Sequence, residues 1–225
     1  KGMVMFLKKM IGVTITIEAV GAIILSLRFI PEYGFIGGIF RGIFHSISAF
    51  CNAGFDILGD NSLVPYETDY VINLTIMLLI ILGGLGFTVL IDISKYIKYK
   101  IAKLRKEKVE FFVMTVHSKL ALTMTFILIL IGAILTFIIE YKNPETLANL
   151  RFDQKILSSF FQSVTLRTAG FDSIGQANLN YGSKFLAIVL MAVGGSPGGT
   201  AGGIKTVTIG ALVLAVVSVI KGKDC

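Results

Sequence analysis

The chain has 225 residues, of which 54% are hydrophobic and only 16% charged, with a mean hydropathy of +0.81 and a formal net charge of +7. That balance excludes a soluble globular enzyme and indicates an integral membrane protein. Its two cysteines, Cys51 in a loop and Cys225 at the last position, provide neither a disulfide framework nor a complete prenylation motif. The chain opens on Lys1 without a signal peptide, so it is expected to be a piece of a longer protein.

Four apolar runs approach the ~20 helical residues, or ~30 Å, needed to cross a bilayer. They are residues 11–30, 70–91, 120–139 and 185–220, the last interrupted by GGSPGGTAGGIKT at 194–206. The first carries Glu18 in mid-run and Arg28 near its end, so one side is expected to face protein or water. For Glu18, a paired functional role and a position close enough to the cytoplasmic surface to stay wet are both open. The third run has no charge.

The basic residues orient these runs. Lys95, Lys98, Lys100, Lys103, Arg105, Lys106, Lys108 and Lys119 oppose Asp92, Glu107 and Glu110 in the 92–119 linker, which predicts a cytoplasmic loop. Lys1, Lys8, Lys9, Lys221 and Lys223 place both ends on the same side, whereas residues 31–69 hold Glu32, Asp56, Asp60, Glu67 and Asp69 against Arg41. Beside a span, this basic stripe is better explained by topology than by nucleic acid, so membrane lipid is the expected partner and nucleic acid is not.

FHSISAFCNAGFDILGDNSL from Phe44 aligns without gaps on FFQSVTLRTAGFDSIGQANL from Phe160, with seven of twenty positions identical. ILGGLGF at 81–87 likewise echoes AVGGSPG at 192–198. The chain therefore contains two parallel copies of one unit: long helix, short semi-apolar helix, AGFD turn, long helix. The short helices, about 36–50 and 152–165, cannot cross a bilayer and suit re-entrant segments buried in protein around a pore. Their C-termini then aim negative dipole ends at the membrane centre, which favours a cation.

Glycine at 54 and 170 allows successive carbonyls to face one axis and replace the water of a dehydrated cation. The candidate ion-binding residues are Asn52, Ala53 and Gly54 in one turn and Thr168, Ala169 and Gly170 in the other. These turns are similar in pattern to the TVGYG filter of potassium channels, with phenylalanine in the aromatic position. Asp56 and Asp172 are placed at an outer mouth, where they raise local cation concentration. A plain tight turn would explain one AGFD, but not its duplication at the same place.

These residues carry a family resemblance. FCNAGFD, GGLGF, SVTLRTAGFD and GGSPGGTAGGIKT resemble the second and third filter units of the Trk/Ktr/HKT superfamily of potassium-uptake proteins, in which four M1-P-M2 units surround one pore. The resemblance spans about residues 9–221. It implies an all-α integral membrane fold of parallel M1-P-M2 repeats, divided here into 9–91, a basic cytoplasmic linker 92–119, and 120–221. Implied too are potassium transport across the plasma membrane, a homodimer, and a cytoplasmic nucleotide-binding regulatory subunit of the RCK type. Potassium would be the transported ion, with no catalytic residue and no covalent cofactor. A serine at a filter glycine accompanies sodium permeation in that family, so Gly54 and Gly170 favour potassium. Only two of the four units are present, so either others lie outside this stretch or two chains pair. A sodium or mixed cation transporter of the same fold and a secondary transporter with broken helices are the alternatives, though the latter predicts inverted repeats.

The interrupted helix is expected to form a gate under the filter, built by Gly194, Gly195, Ser196, Pro197, Gly198, Gly199, Thr200, Ala201, Gly202, Gly203 and Lys205. A packing kink is the simpler alternative. Ile204 between Gly203 and Lys205 breaks phosphate-loop spacing, and the flanks are apolar helix. Gly83, Gly84 and Gly86 fit close helix packing, and the Gly83–Phe87 segment is expected to be the unspecialised counterpart of the gate. Arg167 would repel cations in the path, so it is expected behind the filter, bonded to acidic or carbonyl groups. His45 and His117 lack a second ligand at metal spacing and are expected to be structural.

Overall fold

The computed structural model describes residues 2–105 and 111–222. Lys1, Lys106, Glu107, Lys108, Glu110, Lys223 and Cys225, which figure in the charge and cysteine reasoning, lie outside the described residues. The helices are α1 (Gly2–Phe50), α2 (Tyr70–Leu85), α3 (Phe87–Leu104), α4 (Val116–Glu140), α5 (Phe152–Thr165), α6 (Tyr181–Ala192) and α7 (Thr206–Ile220), with single 3-10 turns at Val64–Tyr66 and Gln176–Asn178. No strand occurs among the described residues.

A continuous helix of 49 residues would extend about 74 Å, more than twice the hydrocarbon thickness. α1 avoids this by reversing at Gly34, whose φ of 72° and ψ of 171° no helix accommodates. Its second arm returns antiparallel to the first, at a spacing set by glycine. A methyl group at Gly38 would meet Ile30 N at 2.5 Å, and one at Gly42 would meet Ser26 N at 2.6 Å. Ser46 Oγ then donates to Glu18 O at 2.7 Å. The second unit repeats the arrangement, with Ser163 Oγ on α5 donating to Ile129 O of α4 at 2.7 Å. In both units a hydroxyl satisfies itself on the backbone of the neighbouring helix, as expected where water is scarce.

Each long helix is also tied to the start of the helix after its AGFD turn. Arg28, near the end of the first arm, pairs with Asp69, whose Oδ1 caps α2 by accepting from Val71 N and Ile72 N at 3.0 Å each. In the second unit the tie is a carboxylate. Glu140, fully buried at the end of α4, accepts from Asn180 N, the cap of α6, at 3.0 Å, and from Asn143 and Thr146 side chains. One apolar core joins the units: Leu25, Phe29, Phe50, Ile72 and Ile76 of the first with Phe161 and Phe171 of the second.

The run 70–91, expected as one span, is not one helix. It breaks at Gly86 (φ 89°, ψ 147°), and α2 and α3 meet at 106°. α3 continues to Leu104, so the first part of the expected 92–119 linker is helical. Asp92 Oδ2 accepts from Thr115 Oγ1 and Ser118 Oγ at 2.7 Å each, clipping α3 to the start of α4. Among the described residues, two helices are long and apolar enough to cross a membrane, three if the bent pair counts as one span.

The close approach in α1 predicts that Gly42→Ala destabilises the fold by about 1–3 kcal/mol through overpacking, whereas Gly12→Ala, with nothing within 4 Å, leaves it as stable or stabilises it by up to about 1 kcal/mol through helix propensity. Thermal unfolding in detergent checks this; equal midpoints for both variants would contradict the packing.

Candidate functional site

The last turn of each short helix delivers an AGFD turn, and the two turns meet. A methyl group at Gly54 would lie 2.3 Å from Ala169 O and 2.8 Å from Gly170 Cα, so only glycine permits the contact. Torsions alternate in both copies. Asn52 (φ 51°) and Gly54 (φ 70°) flank Ala53, and Thr168 (φ 68°) and Gly170 (φ 93°) flank Ala169. Alternating left- and right-handed residues turn successive carbonyls toward one side of a strand. The carbonyls of residues 52–54 and 168–170 accept no hydrogen bond from any described residue.

The neighbouring groups are spoken for. Ala53 N donates to Ser48 O and Ala169 N to Thr165 O, at 2.9 Å each. Ser48 Oγ donates to Phe55 O and Thr165 Oγ1 to Phe171 O, at 2.7 Å each. A left-handed threonine is strained by about 1–3 kcal/mol, so each turn is held by its surroundings. Ala53, Thr168, Ala169 and Gly170 share a cavity of about 340 Å³ with Met191 of α6. Free carbonyls at the negative ends of two helices make a polar wall suited to a dehydrated cation.

The AGFD residues beyond the glycines diverge. Phe171 is buried in the shared core beside His45, whereas Phe55 is 71% exposed. Asp172 closes its own turn, accepting from Ile174 N (3.1 Å), Gly175 N (2.8 Å) and Gln176 N (2.8 Å). Asp56 is half-buried, and its neighbour Ile57 N donates to His45 Nε2 at 3.4 Å. His45 is fully buried, its Nδ1 on Arg41 O at 2.7 Å. No group of three or more metal-ligating side chains occurs among the described residues.

Residues 194–205 form a closed loop between α6 and α7. Its neck is zipped by Gly195 N to Gly202 O (3.1 Å), Ile204 N to Ala192 O (2.9 Å) and Thr206 N to Gly195 O (3.1 Å), with Ser196 Oγ against Thr206 Oγ1 at 2.9 Å. Lys205 Nζ folds back on Ala201 O at 2.8 Å. The loop tip fills the break at Gly86. Ser196 N and Thr200 N donate to Gly84 O (2.8 Å) and Gly83 O (3.0 Å), while Phe87 N donates to Gly198 O (3.1 Å). The Gly83–Phe87 segment is therefore no unspecialised counterpart: both helices are broken, and each break caps the other.

The tip also reaches both turns. Thr200 Oγ1 donates to Phe50 O and accepts from Asn52 Nδ2, at 2.8 Å each, and Gly202 N donates to Thr168 Oγ1 at 2.8 Å. Arg167 is 5% exposed and lies behind its turn, with Nη2 3.3 Å from Thr125 Oγ1 and 3.4 Å from Gly194 O. Its charge there offsets the negative end of α6. No acidic partner pairs with it among the described residues.

Outside the turns, Leu63 N donates to Asp172 O at 2.8 Å, bringing the loop before α2 over the second unit. Glu67, in that loop, has its pKa pushed up to about 7, first by burial and then by the Asp172 charge. A raised carboxylate favours the protonated fold, so this contribution to stability is present below the ordinary carboxylate range and is lost as pH rises through 7. Glu67→Gln should therefore raise the thermal midpoint at pH 8 and not at pH 4.5. A pH-independent difference would show that the charge is not responsible.

The model of the TrkH cation transport protein family matches residues 3–224. The chain is 42% identical over 209 residues to the potassium/sodium uptake protein NtpJ of Enterococcus hirae, covering 93% of this chain and 43% of that protein. It is 40% identical over 222 residues to the Ktr system potassium uptake protein B of Bacillus subtilis, covering 99% and 47%. The chain thus spans less than half the length of these relatives. The crystal structure of the potassium transporter TrkH from Vibrio parahaemolyticus superposes with a TM-score of 0.70 at 18% identity, over 94% of this chain and 41% of that one. With the family model matched nearly end to end over broken helices and paired re-entrant turns, this membrane chain belongs to the TrkH family of cation transport proteins.

Proposed function

We propose that the chain supplies two of the units lining a potassium-selective pore of a Trk/Ktr-type uptake system. The observation that carries this reading is the pair of touching turns whose six carbonyls, at 52–54 and 168–170, accept from no described residue and whose torsions alternate alike. The names of the relatives support potassium as cargo. Sodium permeation is the second reading, favoured by the name of the Enterococcus protein. Gly54 and Gly170 argue for potassium, because a side chain at either would re-aim the carbonyls.

In this reading residues 9–91 and 120–221 are M1-P-M2 units, with 92–119 and both ends cytoplasmic in a plasma membrane, as the basic residues suggest. Asp56 and Asp172 lie at the outer mouth. Arg167 keeps its charge off the path and supports the filter from behind. The loop 194–205 is the gate, sitting at the inner end of both turns and moving aside on activation. A homodimer and a cytoplasmic RCK-type regulatory subunit complete the assembly in this reading; the name of the Bacillus relative, protein B of a Ktr system, supports a further component.

Two experiments test this, both with the complete gene in a potassium-auxotrophic cell. Gly170→Ser places a side chain at φ 93° and should abolish growth at low potassium while admitting sodium; unaffected growth would defeat the filter. Deletion of residues 198–203 should raise potassium flux at equal expression, and unchanged or lower flux through folded protein would count against a gate.

A further inference from the structure

We infer that Thr200 is a specificity-determining positioning residue: together with the Gly202 amide it holds the inner residue of each filter turn in its left-handed conformation. The loop thus sets ion selectivity as well as obstructing the path. This rests on residues 52–54 and 168–170 being the filter.

Asn52 and Thr168 are the two non-glycine residues at positive φ inside the turns, and both stand at the end of the free carbonyls nearest the short helix. A shift in their torsions re-aims those carbonyls. Threonine, being β-branched, resists this conformation more than most residues. Neither is fixed by its own turn alone. Asn52 Oδ1 is buried without a partner, and its amide makes one short contact, 2.8 Å to Thr200 Oγ1; its contacts to Phe50 O and Ile80 O are 3.4 Å.

The Thr200 hydroxyl uses both its functions, accepting from Asn52 and donating to Phe50 O at the end of the short helix. Two residues along the loop, Gly202 N holds Thr168 Oγ1 in the other unit. One short segment therefore bridges two turns that lie in separate units. A loop displaced from beneath the turns releases both together, so the open path is less discriminating than the closed loop's filter geometry alone would give.

Thr200→Val keeps the shape and removes both hydrogen bonds, while Thr200→Ser keeps them. In proteoliposomes carrying the protein expressed from its complete gene, Thr200→Val should lower the K+ over Na+ flux ratio by about tenfold, the equivalent of losing the hydrogen bond to Asn52. Thr200→Ser should retain the ratio. If Thr200→Val carries no measurable flux, the thermal midpoint of the purified protein in KCl against NaCl replaces it: the K+-specific stabilisation should vanish in Thr200→Val and persist in Thr200→Ser. An unchanged ratio or an unchanged K+-specific shift in Thr200→Val overturns the inference while leaving the filter in place. Gly170→Ser with an unchanged ratio would remove the filter itself, and the inference with it.

Discussion

A backbone amide or carbonyl left bare in hydrocarbon costs several kcal/mol, and this fold contains two helices that stop inside the membrane-embedded bundle. What makes those breaks stable is that they satisfy each other. Gly83 and Gly84 end α2 with carbonyls that no further turn can cover, and the amides of Ser196 and Thr200 cover them; Phe87 N, at the start of α3, finds Gly198 O. Glycine is required at this junction because the backbones nearly touch: a methyl group on Gly83 would lie 1.9 Å from Phe50 O, and one on Gly86 would lie 2.5 Å from Pro197 O. The 106° bend, the loop and the seating of the turns all follow from that exchange.

Charge is arranged around the same junction. The short helices present C-terminal ends to the turns, giving negative potential where carbonyls are free. The break after α6 creates another negative end, which Arg167 occupies from behind. Lys205 is bound to the loop's own Ala201 O. Cationic side chains are thereby held on backbone carbonyls, away from the open sides of residues 52–54 and 168–170.

Much of this was legible in the sequence because duplication doubles the signal. The short helix Phe152–Thr165 and its partner before Asn52 stand out by length, polarity and the shared AGFD. The reversal was legible only as the gap between the apolar run 11–30 and the short helix about 36–50; that it turns on Gly34 within one continuous run of helix is seen only in the structure. The break at Gly86 was hidden, because GGLGF sits in an unbroken apolar run and its cause is a loop far along the chain. Asp172 and Asp56 look equivalent in sequence, yet Asp172 is engaged by three amides through local chemistry that the alignment does not encode. Phe55 and Phe171 likewise diverge in burial because the core of one unit receives only Phe171. Thr200 carried no visible role beyond the loop, since its partners are set by tertiary approach.

The mutual capping of the two breaks also imposes an order on biosynthesis. The carbonyls of Gly83 and Gly84 emerge long before Ser196 and Thr200 are made, and at ~5–20 residues per second of synthesis the interval is roughly 6 to 23 seconds. During that time the first bend cannot be released into lipid without exposing its polar backbone. The N-terminal unit is therefore complete in its hydrogen bonding only once the C-terminal unit has been made.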